Sequence, residues 1–182
     1  MRKIIGAINM TLDGFCNHEW MIPDEDLHIH FIQLIENADT ILYGRVTYLL
    51  MENSWLPMIS NPTGTYLDQF ASALDKIPKI VFSHTLKNLK WGNAKFSKEN
   101  LPDEVRKLKE QSGGTILAGS RSIIISLMQM GLIDEFQICV HPVIAGSGLP
   151  LFENIGQKIS LKLQKTKTLG SGAQILFYEP VR

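Results

Sequence analysis

The sequence predicts an α/β fold, a mixed and mainly parallel central sheet flanked by helices, with an antiparallel hairpin at the C-terminus. Short apolar strands alternate with helical segments through the first 130 residues, which is typical of a parallel sheet. Residues 159–168 and 174–181 instead alternate apolar and polar side chains around Gly170-Ser171-Gly172, which indicates an antiparallel pair. With 182 residues, 45% of them hydrophobic, the chain is expected to form a single domain with a sizeable core.

The elements of the first half are predicted from periodicity and turn residues. The first strand leads into Asp13-Gly14, a turn signal, and the first helix has apolar residues at i, i+4, i+7 and i+8 after an acidic first turn. The predicted elements are, in order, a strand over 2–9, a helix over 24–37, a strand ending at Gly44, a helix to about residue 51, a long loop over 53–64 with two prolines, and a helix over 66–74 capped by Thr65.

The second half is predicted in the same way. Gly113-Gly114 ends an amphipathic, charge-rich helix, and an apolar helix follows the next strand. The predicted elements are a strand over 78–82, a helix over 102–111, a strand from Thr115, a helix over 122–130, a strand over 133–140, a flexible loop over 146–148 and the C-terminal hairpin.

Composition excludes several classes of function. Eighteen acidic and eighteen basic residues leave no net charge, so a nucleic-acid or membrane partner is not expected and a small molecule is favoured. No apolar run approaches ~18 residues and the N-terminus has no secretion signal pattern, which predicts a cytoplasmic protein.

The sequence also lacks the motifs typical of metalloenzymes, thiol redox proteins and hydrolases. Cys16 and Cys139 have neither zinc-ligand nor redox-pair spacing, and His28 and His30 are two residues apart on a helix, so no metal site is predicted. The sequence has no HExxH, GxSxG or Walker lysine motif, which disfavours metalloenzymes and hydrolases.

A short phrase occurs twice, as TILYGRVT at 40–47 and as TILAGSRS at 115–122. In each, a strand runs into Gly, Arg and a hydroxyl, a combination that suits a phosphate at a helix start. Residues 83–85, Ser-His-Thr, form a third polar turn after a strand. Because ligands bind beyond the carboxyl ends of parallel strands, the three turns predict a site for a diphosphate ligand such as a dinucleotide. The alternative is that their hydroxyls only cap helices.

Six segments, taken in order, resemble a known family. The resemblance is to the dihydrofolate reductase-like superfamily, in the branch that contains the C-terminal reductase domain of the bifunctional riboflavin-biosynthesis deaminase/reductase. The zinc signature of the deaminase half does not occur in this sequence. The segments are TLDG at 11–14, LYGRVTY at 42–48, KIVFSHTL at 79–86, ILAGS at 116–120, LIDEF at 132–136 and HPVIAGSGLPLF at 141–152.

The resemblance implies NADPH as the cofactor. The Gly44 turn would hold the phosphate region, residues 83–85 with Arg45 the adenosine 2′-phosphate, and residues 119–122 the pyrophosphate. The nicotinamide would lie near Ala7 and Asn9 on the first strand and the Asp13-Gly14 loop, with residues 146–148 at the substrate end. The implied cofactor-binding residues are Ala7, Gly44, Arg45, Thr47, Ser83, His84, Thr85, Gly119, Ser120, Arg121 and Ser122.

The sequence departs from the family at the residues that would bind the substrate and supply the proton. Dihydrofolate reductases carry a carboxylate on the first helix, whereas counting back from the Gly44 turn reaches His28, with Asp26 nearby. The proton donor is therefore expected among Asp13, Asp26, His28 and bound water. Trp20 and Trp55 are candidates for the walls of a planar ring pocket, or else they pack beside the core. Leu49 and Ser120 also replace residues usual in the family, Glu and Gly.

Three functions are compatible with these observations. The favoured one is an NADPH-dependent oxidoreductase that reduces a pterin- or aminopyrimidine-like heterocycle, with 5-amino-6-(5-phosphoribosylamino)uracil reductase of riboflavin biosynthesis as the nearest named activity. The alternatives are dihydrofolate reduction, which the missing helix carboxylate disfavours, and a non-catalytic nucleotide-binding module. Relatives are often dimers, and residues 142–152 with the C-terminal strands are the expected homodimer contact.

Overall fold

The computed structural model describes residues 1–181, which fold around one eight-stranded sheet. The strands in this part of the chain are β1 (Ile4–Thr11), β2 (Ala38–Gly44), β3 (Lys79–Phe82), β4 (Ala94–Phe96), β5 (Thr115–Ala118), β6 (Glu135–His141), β7 (Leu161–Thr168) and β8 (Gln174–Pro180). The helices are α1 (Glu25–Glu36), α2 (Arg45–Ser60), α3 (Tyr66–Lys76), α4 (Leu101–Glu110) and α5 (Arg121–Gln129). A 3-10 turn covers His18–Trp20.

The strand order is β4-β3-β2-β5-β1-β6-β8-β7. The first six strands of this order pair in parallel, while β8 runs antiparallel to both β6 and β7. The fold class predicted from the sequence, a mainly parallel sheet with a C-terminal antiparallel hairpin, is confirmed. The carboxyl ends of β2, β3 and β5 consequently lie along one edge, each followed by one of the three polar turns.

Apolar residues on both faces of the parallel part of the sheet are buried, whereas most of the edge strand β7 is exposed. Ile4 and Leu42 pack against α4 and α5, whereas Ile5 and Tyr43, the next residues along, pack on the face covered by α1, α2 and α3. A smaller cluster joins α1 to the β7–β8 hairpin. No helix among residues 1–181 is long and apolar enough to cross a membrane.

The prediction of a short helix followed by a loop over 53–64 is wrong. Helix α2 continues to Ser60 with Pro57 inside it. Pro57 has no N–H to donate to the carbonyl four residues before it, so it removes one helical hydrogen bond, and its own carbonyl accepts from the Asn61 N–H at 3.1 Å. The Trp55 ring packs 4.5 Å from Phe70 of α3, a tertiary contact that stabilises this part of the helix. The remaining loop spans only 61–65.

Candidate active site

A cavity of about 870 Å³ lies at the carboxyl ends of β2 and β3, beside the starts of α2 and α5. Seven of the residues predicted for the cofactor line it together, although they come from three separate turns. They are Gly44, Arg45, Thr47, Ser83, His84, Arg121 and Ser122. The cavity extends past β4 on one side and reaches Leu149 on the other.

The two helix starts at this cavity differ from the other three. Asp24, Thr65 and Asn100 cap α1, α3 and α4 by accepting a backbone N–H through their side chains. Helices α2 and α5 begin after Gly44 and Ser120, and neither has a side-chain cap among residues 1–181. Their first N–H groups are thus left for another acceptor, and helix starts favour anions. Ser120 does not cap α5 through its side chain, so the alternative that these hydroxyls only cap helices does not apply to it.

Ser120 instead connects the two repeated turns. Its buried Oγ accepts a hydrogen bond from the Gly44 N–H at 2.9 Å. A Cβ on Gly44 would lie 3.0 Å from Ser122 Oγ, so glycine lets the start of α2 approach the start of α5. The two phrases TILYG and TILAG therefore build one site rather than two.

Four of the predicted cofactor residues do not line the cavity. Gly119 is required by packing, since a Cβ there would lie 2.9 Å from Cε1 of the buried Tyr43. Ser120 is buried and accepts the Gly44 N–H, as described above. Ala7 is buried on β1, and Thr85 donates its N–H to Ser83 Oγ at 3.2 Å, which holds the turn after β3.

The charges around the cavity are mainly positive. Arg45 is exposed and forms no ion pair among residues 1–181, and Lys98 is likewise exposed there. Glu99 also lines the cavity, but it pairs with Lys107. Sequence reasoning missed Lys98 because β4, which positions it, is only three residues long and has no apolar periodicity.

Arg121 is already engaged. Its Nε donates to the Pro150 carbonyl at 2.6 Å, and a second guanidinium nitrogen pairs with Glu153. The side chain is 18% exposed. Arg121 therefore anchors residues 149–153 at the edge of the cavity, and a ligand phosphate would have to share its guanidinium with this segment.

Two loops, residues 12–17 and 142–151, form a closed pair beyond the ends of β1 and β6. We refer to them as the paired loops. Backbone hydrogen bonds of 2.8 Å link Leu12 to Val143, Cys16 to Leu149 and Leu151 to Gly14. Leu149 also lines the cavity, so the paired loops form its wall on the β1 side.

Asp13 holds the paired loops together. Its carboxylate accepts from Thr11 Oγ1 at 2.6 Å, from the Gly146 N–H at 2.7 Å and from the Ala145 N–H at 3.1 Å. These hydrogen bonds, that of Thr11 foremost, hold the pKa of Asp13 below its usual value. The group is ionised at neutral pH and serves as an anchor.

The acids at the start of α1 have a similar structural use. Asp26 accepts from the Gly170 N–H at 2.9 Å, and Asp24 accepts from the Ser171 N–H at 2.7 Å while capping the helix. Partial burial acts to raise the pKa of Asp24, but the hydrogen bonds of Ser171 and Leu27 outweigh it and hold the pKa below its usual value. Both carboxylates tie α1 to the turn between β7 and β8.

His28, the third predicted proton donor, has one ring nitrogen without a hydrogen-bond partner among residues 1–181. Its Nδ1 lies 2.8 Å from the Asp24 carbonyl oxygen, which can only accept, so Nδ1 carries the proton. Nε2 has no hydrogen-bond partner among residues 1–181. The ring packs between the aromatic rings of Phe70, Tyr66 and Trp55, with centroids 5.2, 5.3 and 5.7 Å away. Trp55 packs on Phe70 and against the buried cluster on the α1–α3 face, which is the packing alternative expected for it, and Trp20 lies in the 3-10 turn.

A mainly parallel sheet with this strand order, an antiparallel hairpin at one edge and polar turns at the carboxyl ends defines the dihydrofolate reductase-like class of α/β proteins. The family described as RibD C-terminal domain matches residues 2–175, and the chain belongs to that family. The resemblance inferred from the six segments is thereby confirmed.

Individual relatives extend this result. The chain is 35% identical to YyaP of Bacillus subtilis (strain 168) over 97% of its own length and 94% of that protein. Its fold is similar to a pyrimidine reductase-like protein of Corynebacterium diphtheriae, with a TM-score of 0.68, 14% identity, and coverage of 100% and 92% of the two chains. It is also similar to a diaminohydroxyphosphoribosylaminopyrimidine deaminase/5-amino-6-(5-phosphoribosylamino)uracil reductase of Thermotoga maritima, with a TM-score of 0.67, 13% identity, and coverage of 99% and 57%. The family supports a reductase-like function.

Proposed function

We propose that this protein is an NADPH-dependent reductase that transfers hydride to a pterin- or aminopyrimidine-like heterocycle, with 5-amino-6-(5-phosphoribosylamino)uracil reductase as the nearest named activity. The family and the named reductases of similar fold support the reaction class. The observation that carries the proposal for this chain is the pair of uncapped helix starts, α2 and α5, joined by the Ser120–Gly44 hydrogen bond at one cavity.

The residues present fit a dinucleotide phosphate. The first N–H groups of α2 and α5 would bind the pyrophosphate, since they combine free donors with the positive end of the helix dipole. Arg45, Lys98 and His84 lie at the cavity edge formed by the ends of β2, β3 and β4. Their placement supports a 2′-phosphate there and hence a preference for NADPH over NADH. The bound cofactor would supply the hydride.

The protein would supply orientation, exclusion of water and a proton. We assign proton transfer to Nε2 of His28, because Nδ1–H is held by the Asp24 carbonyl and only Nε2 can exchange protons with a ligand. Asp13 and Asp26 are weaker candidates, because backbone N–H groups occupy both oxygens of Asp13 and the Gly170 N–H occupies one oxygen of Asp26. A histidine in place of the helix carboxylate also argues against dihydrofolate as the substrate.

The first experiment is a thermal-shift titration of the purified protein with NADPH and with NADH. Binding to the native state raises the melting temperature by mass action, and a larger shift with NADPH is expected. Substrate-dependent NADPH oxidation with a ribosylaminouracil substrate or with dihydrofolate then separates the two reductase activities. No shift with either nucleotide at millimolar concentration would contradict the proposal and leave a module without this cofactor.

We also propose that the protein is a homodimer. The exposed apolar side chains of Ile144 and Phe152, in and just after the paired loops, support a contact on this side. Sedimentation analysis would give twice the chain mass for a dimer, and Ile144→Asp would shift the mass toward that of one chain. A single-chain mass for the unmodified protein would contradict this assignment.

A further inference from the structure

We propose that Asn9 is a ligand-binding residue that donates a hydrogen bond to a carbonyl oxygen, and that the buried His141 is the positioning residue that orients it. Asn9 lies near the carboxyl end of β1, opposite Cys139 of β6 in the parallel register, and His141 is the last residue of β6. This inference rests on the proposed function, because it requires a ligand at the carboxyl ends of the strands.

The hydrogen bonds of His141 determine where its proton lies. The Ile22 N–H is 3.2 Å from Nδ1, and a backbone N–H can only donate, so Nδ1 is an acceptor. A neutral imidazole with an acceptor at Nδ1 carries its proton on Nε2. Burial lowers the pKa of His141, although the carboxylate of Asp24 opposes this, and the side chain is fully buried.

The position of that proton in turn orients Asn9. His141 Nε2 lies 3.3 Å from Asn9 Oδ1 and 3.6 Å from the thiol sulfur of Cys139. Because Nε2–H donates, it requires the oxygen of the Asn9 amide rather than the nitrogen. The Asn9 Nδ2 group then keeps two donor hydrogens, for which residues 1–181 provide no acceptor.

Asn9 does not line the cavity itself, and its position in the sheet indicates which part of a ligand it would meet. Asn9 is half-buried and shares a strand face with Ala7. The cavity extends from the ends of β3 and β4 past β2 and α5 to Leu149, and β1 is the next strand after β5 in the sheet. A dinucleotide with its adenosine at the β3 side and its phosphates at α2 and α5 would end beside β1.

A carbonyl oxygen at that end would be the acceptor for Nδ2. It belongs either to the carboxamide of the nicotinamide or to a ring carbonyl of the heterocyclic substrate. The same histidine also holds Ile22, in the segment that runs from the paired loops to α1, so one side chain fixes both Asn9 and this segment. Both nitrogens of this fully buried imidazole are engaged, one by the Ile22 N–H and the other by the Asn9 oxygen, so the ring fixes the Asn9 amide in one orientation.

The ligand contact is tested with Asn9→Asp, which keeps the shape of the side chain and removes the donor. Asn88→Asp, an exposed position away from the cavity, is the matched control. We expect Asn9→Asp to weaken NADPH binding by about 10-fold or more and to leave the binding of adenosine 2′,5′-bisphosphate, which has no nicotinamide, unchanged. If the acceptor belongs to the substrate, NADPH binding is unchanged and the KM for the heterocycle rises instead. An unchanged Asn9→Asp enzyme in both assays would overturn the ligand role.

Nuclear magnetic resonance separates this inference from the proposed function. Addition of NADPH, and then of the heterocycle, should move the side-chain amide resonance of Asn9 together with the backbone resonances of Arg45 and Ser122. Shifts at Arg45 and Ser122 without any at Asn9 would overturn only the inference. No shift at any of the three would overturn the proposed function and the ligand role with it.

The positioning role is tested on the protein without ligand. The ¹⁵N spectrum of His141 should show a neutral ring with its proton on Nε2, and a proton on Nδ1 would overturn the orientation argument. His141→Gln can accept from Ile22 and donate to Asn9, so it should leave unchanged whichever quantity Asn9→Asp alters, the NADPH affinity or the KM for the heterocycle, whereas His141→Leu should alter that quantity as much as Asn9→Asp does. Equal values of that quantity in the Leu and Gln variants would show that His141 only packs.

Discussion

The hydrogen bond between Ser120 and Gly44 provides the sharpest test of how the site is built. Substitution of Ser120 by alanine removes only the hydroxyl oxygen, which accepts from the Gly44 N–H at 2.9 Å. Ser120 is 2% exposed and its hydrogen bond with Gly44 is buried, so the substitution leaves a buried N–H without its acceptor. The expected result is a less stable protein in which the starts of α2 and α5 are no longer fixed relative to each other.

The magnitude follows from the burial of the donor. Leaving a buried N–H without a partner costs about 1–3 kcal/mol, compared with the smaller net value of an ordinary exposed hydrogen bond. For a chain of this size, each kcal/mol lowers the melting temperature by about 2–4 °C. Ser122→Ala is the matched control, because Ser122 is exposed and its hydroxyl makes no hydrogen bond in the part of the chain that the structure describes. Its stability should remain within about 0.5 kcal/mol of the unmodified protein.

Urea denaturation of the two variants measures the free energy of unfolding, and NADPH titration reports on the cavity. Ser120→Ala should lose stability and bind NADPH more weakly, while Ser122→Ala should keep its stability. Equal stabilities of the two variants would refute the argument that Ser120 joins the repeated turns.

Three further predictions concern the same region and the core beside it. Arg45→Ala should weaken NADPH binding roughly 10- to 100-fold in a fluorescence titration, because it removes a charge-assisted contact, and unchanged affinity would remove Arg45 from the site. Gly119→Ala should destabilise the protein by about 1–3 kcal/mol in urea, because the added Cβ would lie 2.9 Å from a ring carbon of Tyr43; a neutral result would mean that the ring moves freely. His30 should make the protein less stable in acid. Burial, with a contribution from Lys167, lowers the pKa of His30 from 6.5 to about 4. The unfolded chain therefore binds the proton first, and the free energy of unfolding falls by up to about 3 kcal/mol as the pH drops from 6.5 to 4. His30→Leu should flatten that part of the stability–pH curve, and an unchanged curve would contradict this origin.

The features predicted correctly from the sequence are those encoded locally. The strand-to-glycine phrase at 40–47 and 115–122 identified two strand ends and two helix starts, and the alternation near the C-terminus identified β7 and β8. The caps of α1 and α3 were readable because Asp24 and Thr65 directly precede their helices. Each of these signals lies within a few residues of the structure it specifies.

The features that were missed depend on contacts between distant segments. Helix α2 continues through Pro57 because Trp55 packs on Phe70 of another helix, which no local pattern reports. Lys98 reaches the cavity through a three-residue strand that exists only by pairing with β3. His141 is one residue of a segment quoted for its family resemblance, and its importance follows from Ile22 and Asn9, more than a hundred positions away in the chain.

The two carboxylates and His28 differ in how their hydrogen-bonding atoms are used. Sequence position made Asp13 and Asp26 candidates, yet backbone N–H groups bind both oxygens of Asp13 and the Gly170 N–H binds one oxygen of Asp26. For Asp13 these hydrogen bonds hold the pKa below its usual value, so its carboxylate is ionised at neutral pH and holds the paired loops together. His28 has one nitrogen fixed by a carbonyl and the other unoccupied among residues 1–181, so it can exchange a proton while its ring stays in place. We therefore propose that in this chain the carboxylates hold loops in place and that the imidazole of His28 is the group that transfers a proton.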